Sequence, residues 1–105
     1  MLLIREYVDD RGRSPFAEWF QGLDTRAAAK VTVALARIET GNLSNAKGVG
    51  VLEYRIDWGP GYRVYYSRVG ARLILLLGGG DKSSQDRDIR EAKRHWQECQ
   101  EDHAY

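Results

Sequence analysis

Two arginines on either side of a tight turn are the first feature of this sequence that suggests chemistry. The stretch Glu53-Tyr54-Arg55-Ile56-Asp57-Trp58-Gly59-Pro60-Gly61-Tyr62-Arg63-Val64-Tyr65-Tyr66 alternates apolar and polar residues around Gly-Pro-Gly. A period of two puts Arg55 and Asp57 on the polar face of one strand and Arg63 on its hairpin partner. Tyr62, Tyr65 and Tyr66 interleave with these cations. Arginine beside aromatic rings suits single-stranded RNA, with guanidinium groups on phosphates and rings under bases. A plainer reading is that the rings are strand formers packed under helices, and it is preferred for Tyr54, Trp58 and Tyr66. It does not account for Arg55 and Arg63. Paired cations on a sheet face repel unless Asp57, Glu53 or a ligand balances them. Asp57 is expected to be their structural partner rather than a catalytic base.

A second group is Gly78-Gly79-Gly80-Asp81-Lys82-Ser83. It lacks the spaced first glycine of a Walker A loop. Backbone N–H groups at a helix start could still hold a phosphate, with Ser83 and Ser84 capping the helix. Equally, the glycines could serve only a tight strand-to-helix crossing. Lys82 follows the most apolar strand and precedes the last helix, which gives its side chain the rigid origin a catalytic group needs. His95 and His103 lie in no metal-ligating pattern, and no nucleophile elbow is present, so neither metal nor cofactor is expected. The single Cys99 cannot form an internal disulfide.

The charge distribution agrees with an anionic partner. Residues 26–80 hold eight basic and three acidic residues, a net of +5, whereas residues 1–25 and 81–105 each have a net of −2. Twelve of the sixteen cations are arginine, the side chain suited to forked phosphate contacts. A merely solvated basic face is the competing reading. With 105 residues, 43% hydrophobic and 30% charged, the chain fits one domain spanning 1–105. It is too apolar for a disordered tail, and its longest apolar run, Leu73 to Leu77, is too short for a bilayer. No signal peptide is expected, and the expected compartment is the cytoplasm.

The elements that must position these residues follow from periodicity and caps. A strand is predicted over Leu2 to Val8. Ser14-Pro15 starts a helix that carries Phe16, Trp19 and Phe20 on one face and stops at Gly22. Asp24 caps a longer helix with the stripe Ala27, Val31, Ala34, Leu35 and Ile38, ending at Gly41-Asn42. Residues 42–50, with Lys47 among them, read as a loop. Strands follow from Val51 to Trp58, Tyr62 to Ser67 and Leu73 to Leu77, the last apolar on both faces and so the most buried. The final helix has a seam of Ile89, Ala92, Trp96 and Cys99, and the tail from Glu101 is expected to fray. The expected fold is α+β, in the order β-α-α-β-β-β-α. It has a three- or four-stranded antiparallel sheet, an N-terminal helical hairpin on one face and a C-terminal helix packed nearby.

The strings Tyr54-Arg55-Ile56-Asp57, Gly59-Pro60-Gly61-Tyr62-Arg63-Val64-Tyr65-Tyr66 and Leu75-Leu76-Leu77-Gly78-Gly79-Gly80-Asp81-Lys82-Ser83-Ser84-Gln85 resemble the RelE/HigB toxin superfamily. The resemblance is strongest to its addiction-module killer proteins, close to phage-derived host-inhibition proteins. It extends over nearly the whole chain, including Ser14-Pro15-Phe16. It implies a RelE-like α+β toxin of a type II toxin–antitoxin system, an endoribonuclease that needs no metal and cleaves messenger RNA on the ribosome. It implies a cognate helix-turn-helix antitoxin and a hetero-oligomer with it. On that pattern Arg55, Arg63 and Lys82 are catalytic, and Tyr62, Tyr65 and Ser83 bind RNA. The same superfamily implies two alternatives: a ParE-like gyrase poison without nuclease activity, or a degenerate regulator that only binds its antitoxin.

Overall fold

The computed structural model describes residues 1–42, 46–47 and 50–102. The expected loop at 43–45 and 48–49, and His103 in the tail, lie outside the described residues. The elements are β1 (Leu3–Glu6), α1 (Pro15–Gln21), α2 (Thr25–Glu39), β2 (Ala46–Lys47), β3 (Leu52–Ile56), β4 (Tyr62–Val69), β5 (Leu73–Gly80), a 3-10 turn (Lys82–Ser84) and α3 (Gln85–Asp102). The fold is α+β.

The caps form as the sequence predicts. Ser14 Oγ accepts from the Ala17 amide at 3.0 Å and donates to Glu6 at 2.5 Å, which ties the start of α1 to β1. Asp24 caps α2 by accepting from Ala27 N at 2.8 Å. At the far end of α2, Gly41 takes φ +85°. Its N–H bonds Ile38 O at 2.9 Å, and Asn42 N bonds Arg37 O at 3.0 Å, a Schellman ending.

The sheet differs from expectation. It has five strands in the order β1-β5-β4-β3-β2. It is mixed rather than antiparallel, because β1 pairs parallel to β5, with Ile4 opposite Ile74. Local pattern reads strand content but carries no information about which distant strand an N-terminal strand will join. Ala46 and Lys47, read as loop, form a short edge strand on β3. Glu101 and Asp102 are the last residues of α3, and the rest of the tail expected to fray lies outside the described residues.

Alternation sorts the side chains into two cores. Tyr54, Ile56, Val64, Tyr66, Ile74 and Leu76 pack with Phe16, Val31, Ala34 and Ile38 of α1 and α2. On the other face Tyr65, Leu75 and Leu77 pack with Ala92 and Cys99 of α3 and with Tyr7. As expected, β5 is buried on both faces over Ile74 to Leu77, but β4 is buried as fully, over Arg63 to Ser67, because α3 covers its second face as well.

The three glycines belong to β5 rather than to a turn after it, and two of them admit close neighbours. A Cβ on Gly79 would lie 2.2 Å from Trp19 Cε3, and one on Gly80 would lie 1.8 Å from Asp88 Oδ2. A Cβ on Gly78 would meet nothing within 4 Å. Gly79→Ala should therefore destabilise by about 1–3 kcal/mol through overpacking against a ring held in the core. Gly78→Ala should stay within about 0.5 kcal/mol of the parent. Urea midpoints of the two variants check this, and equal midpoints would refute it.

Candidate functional site

The site is built where the β3–β4 turn meets the start of α3. Gly59 and Gly61 take φ +59° and +78°, the left-handed conformations that a compact Gly-Pro-Gly turn requires. The turn leans on the next element: Lys82 N donates to Pro60 O at 3.4 Å. Lys82 lies between β5 and α3, as its sequence position suggests; the hold from the turn is a further anchor that the sequence does not show, and Lys82 is exposed.

Arg55 and Arg63 stand directly opposite each other across β3 and β4. Like charges at that separation repel, and a carboxylate resolves the conflict. It belongs to Glu53, not to Asp57. Glu53 Oε1 accepts from Arg55 Nε at 3.2 Å and, in a very short contact, from Arg63 Nε. Gln85 Nε2 of α3 approaches the same oxygen at 3.5 Å. Asp57 is exposed and makes no hydrogen bond or ion pair among the described residues. The physical reason is pleat geometry: Glu53 shares the face of Arg55 two residues away and lies diagonal to Arg63, whereas Asp57 is past the end of the strand. The sequence names both carboxylates as candidates, since the same period of two places both on Arg55's face, but the preference for Asp57 is corrected to Glu53.

The two arginines are not equivalent. Arg63 is only 8% exposed, and its Nη1 also donates to Gly61 O at 3.2 Å. Arg55 keeps 49% of its side chain in solvent. Arg55 and Lys82 are therefore the cations that can meet a ligand directly, with Arg63 holding Glu53 and the turn behind them. Beyond Lys82 an open hollow of about 710 Å³ continues the basic surface along α3, with Arg87 and Arg90 in its wall. Among the described residues no group of three or more His, Cys, Asp or Glu side chains could hold a metal ion.

Several expected binding residues are placed elsewhere. Tyr65 does lie on the face of Arg63, but it is 1% exposed beneath α3 and cannot offer its ring to a base. Tyr62 lies on the opposite face, where it stacks on Trp58 at 6.2 Å and meets Trp19 edge-on. Ser83 is exposed, but its N–H and hydroxyl both donate to Asp81 Oδ1, at 2.8 and 2.5 Å. Asp81 caps this helix start, and the Ser83 hydroxyl holds its carboxyl below the usual range. A protein carboxylate thus takes up the N–H donors that the sequence offered to a phosphate, and the glycine run is paired as strand. His95 does not reach the arginines. It lies ten residues into α3 from Gln85, about 15 Å along the axis.

No family model matches the chain. An uncharacterized protein of Haemophilus influenzae is 46% identical over 81 residues, which cover 74% of this chain and 82% of that protein. The chain belongs to the same family as that protein. Among the described residues no helix is long and apolar enough to cross a membrane.

The geometry separates the two arginines energetically. Arg63→Ala should destabilise by about 1–3 kcal/mol, because it strips a hydrogen-bonded charge from a mostly buried carboxylate. Arg55→Ala should cost less than about 1 kcal/mol, as an exposed pair does. Denaturant unfolding measures both, and the reverse ranking would show the roles exchanged.

The buried phenols add a pH dependence. Burial is the main cause that raises Tyr65, and it pushes Tyr66 up to about 12. A raised folded-state pKa stabilises fully below the unfolded value near 10 and is lost as pH rises through the folded value. Stability should therefore fall between pH 10 and about 12, with the phenolate absorbance of these rings appearing together with unfolding. Phenolate signal from all tyrosines near pH 10 in a folded protein would contradict the burial.

Proposed function

We propose that this chain is a RelE/HigB-like toxin: an endoribonuclease that needs no metal, cleaves messenger RNA on the ribosome, and is neutralised by a helix-turn-helix antitoxin in a hetero-oligomer. The observation that carries the reading is the exposed pair Arg55 and Lys82, backed by the Glu53–Arg63 ion pair and continued by the basic hollow. Cleavage of this kind needs no external nucleophile. The 2′-hydroxyl gives its proton to water as its oxygen bonds to the adjacent phosphorus, the bond from phosphorus to the 5′ oxygen breaks, and water protonates the departing 5′ oxygen. The products are a 2′,3′-cyclic phosphate and a 5′-hydroxyl. Arg55 and Lys82 stabilise the charge that develops on the phosphoryl oxygens. Glu53 is occupied by two guanidinium groups, so it positions them rather than taking the 2′ proton. Positioning must then supply much of the rate. Orientation can lower a barrier by about 7–11 kcal/mol, and this is the reason to expect dependence on the ribosome.

A second reading is favoured by one observation, the neutralisation of Arg63 inside the protein. A ParE-like gyrase poison, or a regulator that only binds its antitoxin, needs no free catalytic cation at that position. One experiment separates the three. Purified protein is incubated with translating ribosomes and messenger 5′ ends are mapped, in parallel with a gyrase supercoiling assay. The nuclease reading expects new 5′-hydroxyl ends on ribosome-bound message, few on naked RNA, and unimpaired supercoiling. Loss of supercoiling without cleavage would point to the gyrase poison, and neither effect to the regulator.

Within the nuclease reading, Arg55→Ala and Lys82→Ala should each slow single-turnover cleavage by about 10²–10³. Lys82→Arg should keep most of the rate, because an exposed lysine acts there as charge. Arginine cannot lose a proton near neutral pH, so a Lys82→Arg rate near that of Lys82→Ala would instead assign Lys82 to proton transfer.

A further inference from the structure

The nuclease reading seats one phosphate at Arg55 and Lys82 and gives no task to the cations further along α3. The hollow of about 710 Å³ runs from Lys82 along the first turns of that helix. Its lining holds three cations, Lys82, Arg87 and Arg90, against one carboxylate, Asp86. It is continuous with the arginine pair. Gln85, also in the lining, reaches Glu53 Oε1 at 3.5 Å, the same oxygen that Arg55 Nε meets at 3.2 Å. One amide and one carboxylate therefore separate the hollow from Arg55.

The cations of the hollow are available to a ligand. Lys82 and Arg90 are exposed, and their side chains make no hydrogen bond or ion pair among the described residues. Arg87 keeps 72% of its side chain in solvent and meets Asp88 only loosely, at 3.7 Å. An exposed pair of that length contributes little, and a forked contact with phosphate is stronger. Asp88 does not depend on Arg87, because the Ser84 hydroxyl donates to it.

The layout of the charges selects the ligand. Arg87 and Arg90 are three residues apart, so they share one face of α3 and are offset by about 4.5 Å along its axis. With Lys82 before the helix, they form a row that starts beside the residue touching Glu53 and runs along α3. A row suits a chain that bears a charge on every unit. A lone phosphate or a single carboxylate would meet only part of it. The hollow is of the size that encloses a small organic ligand, so it can take one nucleotide of an unpaired strand but not a duplex. Arginine is the side chain that forks onto phosphate oxygens.

We propose that Arg87 and Arg90 form a second phosphate subsite for single-stranded RNA, taking the phosphate next to the one held by Arg55 and Lys82. The inference rests on the proposed function in that it takes Arg55 and Lys82 as the first phosphate site, but it does not require that the strand be cleaved. The second contact fixes the direction of the strand across the β3–β4 turn. It thereby supplies part of the positioning that a site without a strong base needs.

The test titrates the full chain, labelled with nitrogen-15, and follows its amide resonances by NMR. The probes are a dinucleotide and a trinucleotide of 2′-O-methyluridine, which carry one and two phosphates and cannot be cleaved because the 2′ oxygen is blocked. The trinucleotide should bind roughly three- to ten-fold more tightly than the dinucleotide, as one further charge-assisted contact provides. Its affinity should also fall more steeply with salt, the log–log slope differing by about 0.7 for the extra phosphate neutralised. Arg87→Ala and Arg90→Ala should each shrink both differences, and the double variant should remove them, with unchanged thermal midpoints. Arg55→Ala should weaken the two probes alike and keep the gain. Lys93→Ala removes an exposed cation of α3 outside the hollow and should change neither. No gain from the second phosphate, a gain that survives the double variant, or an equal loss in Lys93→Ala would overturn the proposal. Binding of acetyl-Glu-Glu-Glu-amide as tight as that of the trinucleotide would also overturn it, in favour of an acidic protein segment. Mapping 5′ ends on translating ribosomes reports separately on the nuclease reading. Cleavage without the gain would remove the subsite alone, whereas the gain without cleavage would uphold the subsite and remove the nuclease.

Discussion

Gly79 and Gly80 face opposite sides of β5, and each lies against a side chain from a different helix. Trp19 of α1 sits over one and Asp88 of α3 over the other, at distances where any Cβ would collide. The central strand can be covered on both faces at this end because it has no side chains there. The candidate site depends on that seating. It brings the first turn of α3 against the sheet, carries Gln85 to Glu53, and sets Lys82 beside the β3–β4 turn.

The second constraint is electrostatic. Two arginines directly across a strand pair would repel, and Glu53 converts that repulsion into a bridged pair. The solution divides the labour. Arg63 is drawn inward and holds the carboxylate and the Gly61 carbonyl, while Arg55 remains half in solvent. The capping of α3 follows the same logic. Asp81 occupies the anion position at the helix start, so the backbone N–H groups there are taken up by a carboxylate of the protein itself.

The charge distribution along the chain becomes a spatial one. The basic middle of the sequence contributes β3 and β4. The two acidic ends, in the segment after β1 and on α3, come together around His95. That meeting packs His95 on Tyr7 beside the carboxylates of Asp9 and Glu98 and the guanidinium of Arg94. Neither terminal segment shows this feature when read alone.

The sequence by itself determined what depends on neighbours a few residues away. Alternation through Leu52–Ile56 and Tyr62–Tyr66 assigned each side chain to its face correctly, though the second strand runs on to Val69, where the sequence reads a turn. Ser14, Asp24 and Gly41 marked helix ends that form as read. The apolar run Leu73 to Leu77 identified a strand buried on both faces. Sterics and hydrogen bonding within one or two turns govern these features, so local pattern is enough to read them. Only the tertiary structure decided that β1 joins β5 in parallel, because strand pairing at that separation is settled by the packing of the whole sheet. It also decided that α3 covers the face of Arg63, burying Tyr65, and that Glu53 rather than Asp57 closes the arginine pair. It buried His95 against Tyr7 in the same way. Periodicity tells which residues share a face. What covers that face, and which charges it leaves unmatched, depends on elements brought together from opposite ends of the chain.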